Sequence, residues 1–128
     1  MDKIRKEYPN IAPTGRTHVR AVRYGDIMYM SGVTALGTSA YGASLVEQAR
    51  AALDKIKRIL ELEDATMDDI IKLTTYVTNV ADYRKFEDEI DQVWAEAFSG
   101  KYSANSLIGV AALAHDGLNI EIEAIVGL

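Results

Sequence analysis

The chain has no cysteine, which excludes disulfide staples, thiolate metal ligands and a cysteine nucleophile. Its two histidines, His18 and His115, lie nearly a hundred positions apart with no helical Glu/His pairing beside either, so no metal centre is expected. No apolar run approaches the ~18 residues that a membrane-crossing helix needs. Met1 to Glu7 mixes charges where a signal peptide would be apolar. A cytoplasmic protein with no membrane partner is therefore expected. Positive charge is in deficit, with 14 Lys and Arg against 19 Asp and Glu and a formal net charge of −5. That balance repels phosphates, so nucleic acid is not an expected partner. One local exception is the cluster Arg16, Arg20 and Arg23, which reads either as solvated strand-edge arginines or as an anion-binding rim. A glycine-rich phosphate loop is missing too, because Gly32, Gly37 and Gly42 lack both the spacing and a following Lys-Ser/Thr. Ser31-Gly32 lacks the leading glycine of a nucleophile elbow, which argues against a serine-triad hydrolase.

What is present is an ordinary globular composition, 48% hydrophobic and 26% charged over 128 residues, consistent with one domain spanning 1–128. Residues 18–34 are two runs rich in Val, Ile, Tyr and Met split by Gly25-Asp26, the pattern of a β-hairpin. From Ser44 the period changes. Leu45, Ala49, Ala52, Leu53, Ile56, Ile59 and Leu60 fall on one helical face as far as about Leu62, and Ser44 with Glu47 forms a capping-box signature. Thr66 with Asp69 marks a short capped turn, and the β-branched run 70–80 predicts a strand buried on both faces. Asp82 is the expected cap of a second helix carrying Tyr83, Phe86, Ile90, Val93, Trp94 and Ala97, which ends near Ser99-Gly100. Strands at 104–113 and 119–127 follow, joined by a turn around His115, Asp116 and Gly117.

This order predicts an α+β fold in which two helices cover one face of a sheet of five strands, plus an N-terminal strand if residues before the hairpin pair with it. The other face is not cleanly polar, so it is either exposed or packed on further copies of the chain. Two features could carry chemistry. Glu121 and Glu123 sit two apart on the last strand and share one sheet face, as the wet side of an edge strand or as carboxylates in a cleft. Tyr29-Met30-Ser31-Gly32 ends a strand on a hydroxyl, which satisfies a turn amide or faces a substrate.

Several segments together resemble the RidA family, also called the YjgF or reactive-intermediate deaminase family. They are RYGDIMYMSGVT at 23–34, EQARAALDKIKRIL at 47–60, ATMDDIIKLTTYVTNVADYRKF at 65–86 and IEIEAIVGL at 120–128. The resemblance runs from about residue 14 and implies a chorismate-mutase-like mixed sheet. It further implies a homotrimer with sheets lining a central barrel, ligand clefts between subunits, and hydrolysis of enamines and imines without a cofactor. Among active relatives an arginine in Pro-x-Arg-Ser anchors the substrate carboxylate, a tyrosine shapes the cleft and the first glutamate of the final strand handles water. Matched residue by residue, the glutamate is Glu121, the strand-end serine is Ser31 and the serine after the anchor is Ser106, followed by Leu107. The anchor position holds Asn105, the proline position holds Ser103 and the tyrosine position holds His18.

These departures shift the expected function. A bidentate arginine–carboxylate contact is worth about 1.5–3 kcal/mol, which the neutral hydrogen bonds of asparagine do not match. The leading expectation is a deaminase-like hydrolase of altered specificity acting on a small-molecule metabolite. In it Glu121 positions water, His18 assists proton transfer, Asn105, Ser31, Ser106 and Leu107 shape the substrate site, and Arg16 or Arg20 substitutes as anchor. The cleft is expected where the last strand and the Asn105 strand of neighbouring chains meet, with residues 105 and 121 on the same side of the sheet. The alternative is a non-catalytic module that binds a metabolite or docks a partner enzyme through the same clefts. Ribonuclease activity is a minor option, because no basic stripe with interleaved aromatics is present.

Overall fold

The computed structural model describes residues 1–128. Its six strands form one mixed sheet. They are β1 (Lys3–Lys6), β2 (Ala21–Tyr24), β3 (Ile27–Val33), β4 (Ile70–Val77), β5 (Ala104–Gly109) and β6 (Ile120–Gly127), in the spatial order β1-β2-β3-β6-β4-β5. All neighbours are antiparallel except β4 and β5. The hairpin turns at Gly25-Asp26, where Gly25 takes the positive φ of 64° that such a two-residue loop requires. The N-terminal residues do add a strand. Three helices, α1 (Leu45–Leu62), α2 (Val80–Lys85) and α3 (Glu87–Phe98), follow the predicted order.

α1 starts at Ser44, whose hydroxyl accepts from Glu47 N, and every apolar residue predicted for its buried face is buried. Two polar residues share that stripe. Gln48 and Lys55 lie at helical spacing from Ala52 and Ile59 and are likewise buried. Along β6 the alternation is complete: Ile120, Ile122, Ala124 and Val126 enter the core, while Glu121, Glu123 and Ile125 face away from the helices. One cluster of 25 buried residues unites the helices with that sheet face.

Four expectations need correction. The second helix is capped by Asn79, not Asp82. Asn79 Oδ1 accepts from Asp82 N and the helix begins three residues earlier than predicted. It is also two helices, because Phe86 leaves helical geometry between α2 and α3. β4 ends at Val77 and β5 at Gly109, both short of prediction, so Val80 belongs to a helix rather than to the strand. Finally, β4 is not buried on both faces in a single chain: Leu73, Thr75 and Val77 are buried, whereas Lys72, Thr74 and Tyr76 are half-covered.

Candidate active site

β3 does not run straight alongside β6. The register shifts between Met30 and Val33, so Ser31 and Gly32 bulge out of the ladder opposite Glu123 of β6. Ser31 Oγ donates to Val19 O at 2.8 Å and its amide donates to Arg20 O, which ties the bulge to the segment before β2. Glu121 lies under this bulge. A Cβ added to Gly32 would sit 2.6 Å from Glu121 Cγ and Cδ and closer still to Oε2. Gly32 is thus the residue whose missing side chain makes room for the carboxylate. Substituting Gly32→Ala is expected to swing Glu121 aside and to lower any Glu121-dependent rate at least ~10-fold, since a misplaced catalytic group is costly. Steady-state kinetics on the folded variant checks this.

Arg20 braces the same corner from within. It is 6% exposed, and its guanidinium donates from Nε to Ala12 O at 3.0 Å, from Nη2 to Pro13 O at 3.1 Å and from Nη1 to Gly32 O. Its backbone amide donates to Glu7 Oε1. Lys55 enters from α1 and donates to Thr34 O at 2.6 Å and Leu36 O at 2.8 Å. The loop between β5 and β6 closes the opposite side. Gln48 holds it by donating to Gly117 O and accepting from Asn119 N, and the Tyr41 hydroxyl donates to Asp116 O. These pieces enclose a cavity of about 530 Å³ whose wall includes His18, Arg20, Gly32, Lys55, His115 and Glu121. No Phe, Tyr or Trp side chain lines it.

The predicted site residues divide accordingly. Glu121, His18 and Arg20 share this cavity. Ser31 supports it through its bond to Val19 O. Exposed Arg16 does not line it, and Arg23 is occupied locally, with Nε donating to Gly25 O. Asn105, Ser106 and Leu107 are elsewhere in the chain, on the fully exposed edge strand β5. The expectation that residues 105 and 121 share a side of the sheet is overturned by register. Asn105 pairs with Leu73 and accepts from Thr75 Oγ1, both on the helix face, whereas Glu121 pairs with Tyr76 on the open face. Asn105 instead borders a separate cleft of about 420 Å³ with Tyr83, Asp91, Trp94, Tyr102 and Ser103. Ser106 turns to the open face and accepts from Lys72 Nζ at 2.6 Å.

A sequence model for the family described as Endoribonuclease L-PSP matches residues 10–128. A RutC family protein of Haemophilus influenzae is 33% identical over 110 residues, 84% of each chain. The chain belongs to the RidA/YjgF family. The similarity extends to a 2-iminobutanoate/2-iminopropanoate deaminase of Dermatophagoides farinae, 28% identical over 84% of this chain and 82% of that one. In three dimensions it extends to the Rid-family protein YyfA of Yersinia pestis, 26% identical with a TM-score of 0.85, covering 99% of this chain and 100% of that one. The mixed six-stranded sheet with helices on one face is the fold of that family.

Within this RidA-family cavity the electrostatics are unequal. Burial pushes the Glu121 carboxyl above the ordinary carboxylate range and Glu123 pushes it further, while Arg20 and His18 pull it back. Glu123 accepts from the Tyr76 hydroxyl at 2.7 Å, and that bond, ahead of burial, holds the phenol's pKa up. A carboxyl that keeps its proton above the usual range is a better proton acceptor than an ordinary carboxylate. If Glu121 acts as a base, the acid limb of the pH–rate profile lies above the ordinary carboxylate range. Glu123→Gln, which removes the like charge and keeps an acceptor for Tyr76, is expected to move that limb to lower pH; a limb that stays put would separate it from Glu121.

Sequence reasoning missed Lys55, Gly32 and His115. The first two left a signal. Lys55 is the one charge on the buried helical stripe, and Gly32 is a glycine within a strand, which often marks a bulge. His115 reaches the cavity only because Gln48 and Tyr41 fold the long loop back, contacts more than 60 positions apart in the chain.

Proposed function

We propose that this protein hydrolyses C=N bonds of small 2-imino acids, with Glu121 as the group that positions and activates water and His18 as the proton carrier beside it. The supporting observation is a carboxylate with a raised proton affinity, held by a glycine bulge in a cavity it shares with an imidazole. The chemistry follows from the groups present. Water adds to the imine carbon as its proton passes to Glu121 and the imine nitrogen takes a proton from His18, giving a neutral carbinolamine. The amine nitrogen then takes the proton from Glu121 and leaves as ammonia while the hydroxyl returns its proton to His18 and becomes the carbonyl. A 2-oxo acid and ammonia are the products, and no redox step or cofactor is required. The name of the Dermatophagoides relative points to the same substrate class.

The active unit is proposed to be a homotrimer with the sheets facing inward. Support comes from what a single chain leaves uncovered. On the open face Tyr29 is 51% exposed, and along the unpaired edge of β5 Leu107 and Ile108 are 40% and 41% exposed. Unpaired edges and apolar sheet faces of this kind are normally covered. Asn105, Ser106 and Leu107 can then contribute to the Glu121 cavity only from a neighbouring copy. Sedimentation at assay concentration is expected to give three times the chain mass, and an active monomer would remove β5 from the site.

The test of function is ammonia release from 2-iminopropanoate generated in situ, with and without the protein. Acceleration over buffer is expected. The competing reading, non-catalytic binding of a small metabolite, is favoured by Asn105 at the anchor position. It predicts saturable thermal stabilisation by a ligand with no product formed. RNA cleavage is disfavoured by the net charge of −5 and by a cavity wall without Phe, Tyr or Trp.

A further inference from the structure

The cavity holds two buried cations and no bonded counter-charge for either. Lys55 is 5% exposed and Arg20 is 6% exposed, yet neither forms an ion pair with any carboxylate. Taking an ammonium or guanidinium out of water without an opposite charge is unfavourable unless something else supplies that charge. The single carboxylate on the cavity wall is Glu121, which is itself inclined to keep its proton. His18 and His115 add no negative charge. Arg20 has the Glu7 and Glu121 carboxylates near enough to favour its charge, whereas the charges acting on Lys55 are the like charges of Arg20 and Arg58, so the missing anion is one for Lys55.

The two cations are not equally free to receive it. Arg20 spends three of its five N–H donors, one on each guanidinium nitrogen, on the carbonyls of Ala12, Pro13 and Gly32, and this planar fork fixes the direction of the two that remain. An ammonium has three donors on a rotatable stem, and Lys55 uses two, on Thr34 O and Leu36 O. One N–H remains uncommitted on a group that lines the same cavity as Glu121. α1, to which it belongs, is packed along its length against the sheet, so the charge is held in place by the core rather than by a loop.

We infer that Lys55 binds the carboxylate of an anionic substrate, doing from within the chain what the asparagine at position 105 cannot. This makes 2-imino and 2-oxo acids the ligand class, with the carboxylate on Lys55 and Arg20 contributing long-range attraction while it holds the walls. The inference rests on the proposed function for the role of Glu121, but its test reads binding and needs no turnover. Pyruvate, the hydrolysis product of 2-iminopropanoate, and its uncharged amide, pyruvamide, differ only at the group that Lys55 would contact.

By calorimetry the wild-type protein is expected to bind pyruvate at least ~10-fold more tightly than pyruvamide, the size expected for a charge-assisted contact. Lys55→Gln, which keeps an N–H donor for the loop carbonyls, is expected to abolish that preference while leaving pyruvamide binding unchanged. In the unmodified protein, the Lys55 Nζ resonance in ¹H–¹⁵N spectra is expected to shift on pyruvate addition and not on pyruvamide addition, a readout independent of how well the variant folds. Equal affinity for the two ligands, or a silent Lys55 resonance at pyruvate saturation, would overturn the inference. Pyruvate preference that depends on Lys55 in a protein with no hydrolytic activity would support the inference and sink the proposed function. Hydrolysis with a preference untouched by Lys55→Gln would do the reverse.

Discussion

Glu121→Gln is expected to lower imine hydrolysis by about 10²–10⁴-fold, the range by which a positioned general acid–base group accelerates proton transfer. The amide matches the carboxylate in size, so it should remain beneath Gly32 and leave the cavity intact. What it loses is the ability to take the proton of the attacking water. The same variant carries a second, opposite effect. Because the folded protein raises the Glu121 pKa, the protonated form is the one that folding favours. Its stabilising contribution is complete below the unfolded-state pKa and is lost as pH rises through the folded-state value. At neutral pH the charged carboxylate is therefore a liability, and Glu121→Gln is expected to melt higher than the wild type. The gap should close as pH falls through the raised pKa. A variant that loses activity and gains stability together locates Glu121 in the chemistry rather than in the scaffold; loss of both would place it in the scaffold.

The largest effect on stability is expected at Arg20. Removing the guanidinium by Arg20→Met strips hydrogen-bond donors from Ala12 O, Pro13 O and Gly32 O at once. Each unsatisfied buried acceptor costs about 1–3 kcal/mol, with some of that recovered where water enters. A total near 3–5 kcal/mol is expected, equivalent to a fall in Tm of roughly 10–20 °C for a domain of this size. The bulge at Ser31-Gly32 and the segment from Pro9 to Gly15 should lose order together, because Arg20 is the link between them. Thermal melts followed by circular dichroism check the magnitude, and amide exchange at Gly32 and Val33 checks the location. A small ΔTm would mean that these carbonyls find other donors, and it would return Arg20 to the role of a free anchor that the sequence allowed.

Much of the fold was readable because every apolar position that defines the core stripe of α1 and the core face of β6 is buried. Period alone placed Glu121 and Glu123 together on the open face. It failed where a tertiary contact outranks local pattern. Phe86 fits the helical stripe of residues 83–97, yet the chain breaks there as α2 gives way to α3. Asn79 wins the cap from Asp82 because its side chain reaches the Asp82 amide a turn earlier. The candidate site was half legible. Glu121, His18 and Arg20 were named from the resemblance, and the structure gathers them in one cavity. The role imagined for Arg20 as a substitute anchor meets the fact that each of its three nitrogens is tied to a backbone carbonyl, which no linear reading shows. The misplacement of Asn105 has an equally simple origin. Facing is decided by whether the pairing offset between strands is odd or even, and on β4 the partners of Asn105 and Glu121, Leu73 and Tyr76, are three residues apart, a register the sequence does not announce.

The most direct test of the account is a crystal structure of the protein grown with saturating pyruvate. The account predicts that the ligand lies in the cavity beneath the Gly32 bulge, with its carbonyl carbon facing the Glu121 carboxyl across a water-sized gap. Pyruvate seated instead in the cleft of Tyr83, Trp94 and Asn105, or absent from the Glu121 cavity at saturation, would contradict it.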